Sequence, residues 1–167
     1  FPATTIDEVC GTARLTKGSF FHYFDSKNDL GKAVLVRYVA QRQQIWQAAP
    51  FAKNSDPLRR VYGYLDFAVQ MHKKPESQNG CLVGLFAQEL SDTYPEIRLL
   101  CAEFFDEWAR TFKRDLDEAR AKYASRKSID TRSLAEHFIA TLEGSLIISK
   151  AKQDRRVLGK NLRHFKR

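Results

Sequence analysis

Three helix-start signals crowd into the first thirty residues, and they constrain the chain more than any other feature. Thr5 and Glu8 have the T-x-x-E spacing of a capping box, in which the threonine hydroxyl takes the Glu8 amide and the carboxylate reaches back. Thr16 precedes Lys17, Gly18 and Ser19 as a second cap, and Ser26 with Asp29 repeats the arrangement as S-x-x-D. Starts this close together allow only short helices between them. Ile6, Val9, Cys10 and Ala13 give the first one an apolar face, and Ala13-Arg14-Leu15 leaves room for no more than a tight turn. Two short helices around a tight turn, the second rich in small, hydroxyl, basic and aromatic residues, are the parts of a helix-turn-helix.

On that plan the first turn of the second helix faces a major groove. Gly18 lets the backbone approach closely, Ser19 offers a hydroxyl, and Lys17 reaches a phosphate or a guanine edge. Phe20 and Phe24 are expected to lock this helix onto its neighbours, while the residues themselves leave the roles of Phe21, His22 and Tyr23 open. Lys27, with the amides at the start of the third helix, forms a phosphate-sized anion site. The stretch T-T-I-D-E-V-C-G-T-A-R-L-T-K-G-S-F-F-H-Y-F-D-S-K-N-D-L resembles the DNA-binding head of the tetracycline-repressor (TetR) family. The resemblance implies DNA contacts from Thr16, Lys17, Gly18, Ser19, Phe21, His22, Tyr23 and Lys27. It also marks two departures. Phe21 lacks the polar tip usual at its position, and Arg14 stands where glycine is common and a positive φ is easy. In the family pattern Phe1 falls just past the first of three head helices, so one helix of the head is expected to be missing here.

Charge alone does not point to DNA. The net charge is +8, yet residues 1–49 carry six Lys/Arg against four Asp/Glu, while residues 150–167 carry eight against one. A solvated helix face explains that basic tail as well as nucleic acid does. The three cysteines, Cys10, Cys81 and Cys101, are odd in number and lack metal-ligand spacing, which suits a reducing cytoplasm. The longest apolar run, residues 81–87, is too short to span a bilayer, and no secretory leader is visible. No metal, cofactor or membrane partner is expected.

The rest reads as an all-α body. Domains are expected at residues 1–27 (head), 28–49 (connector) and 50–167 (effector binding and dimerisation). The connector helix spans residues 28–48, with Leu30, Val34, Tyr38, Ile45 and Trp46 on its buried side, and Pro50 ends it. Asp56-Pro57 opens the next helix, with proline in its first turn, running to about His72. A polar loop follows over residues 73–79. Further helices span residues 80–93, 95–123, 131–151 and 154–166, with a second loop at residues 125–130.

The segments G-C-L-V-G-L-F-A-Q-E-L-S-D and L-E-G-S-L-I-I-S-K-A also resemble the body of TetR relatives. That resemblance implies a homodimer closed by a four-helix bundle of the last two helices. Leu134, Phe138, Leu142, Gly144, Ser145 and Ile148 form a stripe on one, and Leu158, Leu162 and Phe165 on the other. Both stripes face either a partner or the body's own core. The resemblance further implies an effector cavity among Tyr64, Phe67, Met71, Phe86, Phe105, Trp108 and Phe112, where plain core packing is the competing reading. Cys81, just inside a helix start, is either an inert buried thiol or a sensor of electrophiles.

Enzyme motifs are absent: G-x-x-x-x-G-K-[ST], G-x-S-x-G, H-E-x-x-H and paired C-x-x-C do not occur, and the four histidines are scattered. The expected protein is a ligand-responsive repressor that binds palindromic, double-stranded operator DNA and releases it with a small organic effector. The alternatives are a helical carrier or interaction protein without DNA binding, and a Cys81-based redox-sensing repressor.

Overall fold

The computed structural model describes residue 1, residues 3–74 and residues 80–166. All of the regular structure among them is helical: α1 (Ile6–Ala13), α2 (Lys17–Tyr23), α3 (Lys27–Gln47), α4 (Pro57–Lys73), α5 (Leu82–Leu90), α6 (Pro95–Tyr123), α7 (Thr131–Lys152) and α8 (Arg156–Phe165). No described helix is long and apolar enough to cross a membrane. Most of the expected polar loop, at residues 75–79, lies outside the described residues.

Capping chemistry sets the boundaries. Thr5 and Glu8 form both hydrogen bonds of the capping box, and Thr16, Ser26, Asp56 and Asp130 each accept an amide from the first turn of their helix. The α1–α2 turn is closed by Arg14 itself in the left-handed region (φ 56°), a conformation glycine adopts at less cost. One element was not anticipated. Pro50–Lys53 forms a single 3-10 turn, and Phe51 from it sits over Gly63 on α4, where no side chain would fit.

Two apolar clusters build the body. The larger joins α4, α6, α7 and α8 through Tyr64, Leu65, Phe112, Phe138, Leu142, Leu158 and Leu162. The smaller joins α3, α5 and α6 through Leu35, Val83, Phe86, Leu90, Ile97 and Cys101, with the Phe1 ring packed on Phe86 and Tyr94. The buried face of α3 includes the expected Leu30, Tyr38, Ile45 and Trp46 as half-buried residues but not Val34. Gly31 and Leu35 are buried, whereas Val34 is exposed, because the helical period carries the core face through residues 31, 35, 38 and 39.

Candidate DNA-reading head and effector cavity

In the head, Phe20 is 6% exposed and packs against Phe24, fixing α2 to its neighbours. The next residues turn outward. Phe21 is 52% exposed and Tyr23 75%, with the His22 ring held edge-on to Tyr23 at 4.9 Å. Thr16 Oγ1 takes the Ser19 amide at 3.1 Å, and its hydroxyl also meets Ser19 Oγ. Gly18 lies in open surroundings beside this cap. Lys17 reaches Asp7 on α1 at 2.9 Å, an exposed pair of little stability. Thr16, Lys17, Gly18, Phe21, His22 and Tyr23 are thus exposed on α2 and its cap, and Ser19 is half-buried.

Lys27 departs from its expected role. Its ammonium donates to the carbonyls of Phe1 (3.0 Å) and Thr4 (2.7 Å) and lies over the Phe1 ring. It therefore clasps the start of the chain to α3 instead of pointing at a phosphate. The anion site expected at the start of α3 is also crowded by the Asp29 carboxylate, which accepts from Ser26 Oγ and pairs with Lys32.

A cavity of about 450 Å³ opens in the body between the two clusters. Tyr64, Met71, Phe105 and Trp108 line it as expected, and Trp108 Nε1 donates to the Tyr64 hydroxyl. Phe67, Phe86 and Phe112 do not line it. Phe112 is 1% exposed inside the larger cluster, Phe86 belongs to the smaller one, and Phe67 packs against Trp46 and Phe51. The period that brings aromatic rings together on a helix does not say which rings close the core and which border a void.

Sequence reasoning missed the most informative wall. Tyr38, Val39, Arg42, Gln43, Trp46 and Gln47 line the cavity from α3, a stripe at i, i+4 and i+8 on the helix separated from α2 by three residues. Their mix of rings, amides and a guanidinium at helical spacing was the available signal. His72, at the end of α4, also lines the cavity. It is 8% exposed, and neither ring nitrogen has a hydrogen-bond partner among the described residues.

The two stripes assigned to dimerisation point mostly inward. Phe138, Leu142, Ser145, Leu158 and Leu162 are buried within the single chain, and Leu134 and Phe165 pack against the same core. Ser145 shows how tightly α7 and α8 close: its hydroxyl donates to the Thr141 carbonyl and accepts from Asn161 across the helix pair. Only Gly144 and Ile148 from the expected set look outward. They share that face with Ala140, Ile147 and Ala151, and a side chain at Gly144 would meet nothing. Broad apolar cover on both helices hid which stripe the core takes.

Cys81 is the N-cap residue of α5, with no side-chain capping bond. Burial, and then the nearby Glu143 carboxyl, push its thiol up to about 12. Burial likewise raises Glu143, which lies over Gly84 on α5.

A family model described as "Tetracyclin repressor-like, C-terminal domain" matches residues 57–165, and one described as "Bacterial regulatory proteins, tetR family" matches residues 1–34. The chain belongs to the TetR family. Among its TetR relatives, the HTH-type transcriptional repressor DhaR of Mycobacterium sp. (strain GP1) is 24% identical over 95% of this chain and 78% of its own length. The transcriptional regulator AcuR of Cereibacter sphaeroides is 28% identical over 90% of this chain and 68% of its own. A crystal structure of a TetR regulatory protein from Rhodobacter sphaeroides superposes with a TM-score of 0.85 at 28% identity, covering 99% of this chain and 87% of that one. Head and body are those of a TetR transcriptional regulator.

Proposed function

We propose that the chain is a homodimeric repressor that binds palindromic operator DNA in the bacterial cytoplasm and leaves it when a small organic effector fills the body cavity. One observation carries this reading: α3 follows the recognition helix directly and also forms a wall of the cavity. Material entering the cavity presses on the same rigid rod that sets the position of α2. The repressor named among the relatives supports the sign of the response.

Helix α2 supplies the DNA contacts, with Lys17, Ser19, His22 and Tyr23 at the groove and Phe21 making apolar contact only. The outer face of α7, through Gly144, Ile147 and Ile148, pairs with a second copy. Two heads then read half-sites about one helical turn apart or a little more. The effector acts by population shift, binding the DNA-incompetent arrangement more tightly than the competent one. A tenfold loss of DNA affinity needs only about 1.4 kcal/mol of coupling, which a small tilt of α3 delivers by moving the two recognition helices out of register.

The test is Trp108→Ala, assayed against the DNA flanking the protein's own gene and a compound that co-purifies with the chain. The effector response should weaken about tenfold while effector-free DNA binding stays nearly intact. Joint loss of DNA binding and thermal stability would make Trp108 core and end the cavity assignment. The electrophile-sensing alternative draws no support from a thiol held protonated by burial at neutral pH.

A further inference from the structure

The cavity is not uniformly apolar, and its polar groups are arranged unevenly. Trp46 stacks on Tyr64 at 4.2 Å, and Phe105 lies parallel to Trp108, so two pairs of flat rings form the walls. Against them stand two cations, Arg42 from α3 and the more exposed Arg114 from α6. The Arg42 guanidinium lies 5.0 Å from the centre of the Tyr38 ring, and no carboxylate pairs with it or with Arg114 among the described residues. The one acid on the lining among the described residues, Glu107, is taken by Arg110 at 2.8 Å and by Thr111. His72 adds an imidazole that is more than nine-tenths buried, with both nitrogens unpartnered.

Buried polar groups in folded proteins are normally satisfied, because leaving one unpaired forfeits its hydration without replacement. An unsatisfied imidazole and a guanidinium that meets Tyr38 but no described carboxylate, on one aromatic cavity, describe a ligand by its complement. Arginine presents a planar fork that matches a carboxylate with two parallel hydrogen bonds. The imidazole is kept neutral by burial and by nearby Arg155, so it offers one donor and one acceptor to a second polar group.

We propose that the effector is a small organic carboxylate with a flat, ring-bearing body. Its anion pairs with Arg42, its ring lies among Trp46, Tyr64, Phe105 and Trp108, and a hydroxyl or amide on it meets His72. The inference rests on the reading of this cavity as the effector site. It also gives that site a route to the head, since the pairing cation stands on α3 itself.

The chain's two tryptophans, Trp46 and Trp108, both line the cavity, so intrinsic fluorescence reports occupancy directly. The probes are 4-hydroxybenzoate, 4-hydroxyphenylacetate and 4-hydroxycinnamate, each beside its neutral amide. At least one acid should quench the tryptophans and bind roughly ten- to a hundredfold more tightly than its amide, the range expected for a hydrogen bond to a charged group. Arg42→Gln should erase that preference by weakening the acid alone, and Arg42→Lys should restore part of it. His72→Phe, which keeps the ring and removes both nitrogens, should weaken the hydroxylated acid but not the same acid without its hydroxyl.

Equal binding of acid and amide, or an acid preference that survives in Arg42→Gln, would overturn the inference. So would a panel in which no acid quenches the tryptophans. The same samples are titrated with labelled DNA from upstream of the gene. Acids that occupy the cavity without releasing DNA would refute the effector reading and leave the ligand class standing. Amides that release DNA as well as acids do would have the opposite result.

Discussion

The recognition head and the α7–α8 pair are both helical, yet they are specified in different ways. In the head, each helix start is fixed by a hydrogen bond between residues three apart: Thr5 with Glu8, Thr16 with Ser19, Ser26 with Asp29. In α7 and α8 the ends are just as clear, but apolar residues cover so much of both helices that either face could have become the core. Packing against α4 and α6 decides the matter, taking Phe138, Leu142, Leu158 and Leu162 inward and leaving Gly144, Ile147 and Ile148 outside. Local chemistry sets where a helix begins. Only tertiary packing sets which way it faces.

The largest expected effect sharpens that division between inner and outer faces. Leu158→Ala removes a side chain that is 1% exposed and should destabilise the chain by about 2–5 kcal/mol in urea unfolding. A loss under 1 kcal/mol would mean that α8 is not packed as described. On the outer face, Ile147→Glu should leave the circular dichroism spectrum and melting of the chain nearly unchanged while converting the dimer to monomer in sedimentation, because a carboxylate would be buried unpaired at the seam. A stable dimer carrying this charge would move the interface elsewhere.

The head should respond more gently. Thr16→Ala removes one cap and should cost about 1 kcal/mol of local helix stability, seen as faster amide exchange in α2 and weaker DNA binding. Lys17→Ala should weaken DNA binding across sequences and lower the salt slope by about one, since it removes a phosphate contact. Lys27→Ala makes a useful contrast: its amine is held by backbone carbonyls, so the salt slope should stay the same.

The smallest effect is expected at Cys81. A thiol pushed up to about 12 is almost wholly protonated at pH 8, and only the thiolate attacks electrophiles. Reactivity should rise only as the pH climbs toward that value. Cys81→Ser should therefore leave DNA release unchanged when iodoacetamide is present at pH 8. Release that needs Cys81 under those conditions would revive the electrophile-sensing alternative.

The same contrast explains what could be read before any coordinates. The helix order and the capped starts were legible because short-range spacing encodes them, whereas DNA-facing roles for Phe21, His22 and Tyr23 came only from the family resemblance. Arg14 was only half legible: a non-glycine residue there could have taken a strained positive φ or shifted the turn, and it takes the positive φ. Lys27 was misjudged because its partners, Phe1 and Thr4, lie more than twenty residues away. Phe67, Phe86 and Phe112 were grouped with Trp108 because the family resemblance places a cavity among aromatic residues of their helices, and only tertiary packing separates ring from void. Arg42 and His72 carry no motif. Their meaning comes from what fails to pair with them in three dimensions.

The most direct measurement follows operator binding and cavity occupancy in one titration. Fluorescence anisotropy of a labelled operator fragment gives DNA affinity, while quenching of Trp46 and Trp108 gives occupancy by an added or co-purified compound. The coupling through α3 predicts that DNA affinity falls at least tenfold over the same concentration range in which the tryptophans are quenched. Full quenching with no change in DNA affinity would contradict it.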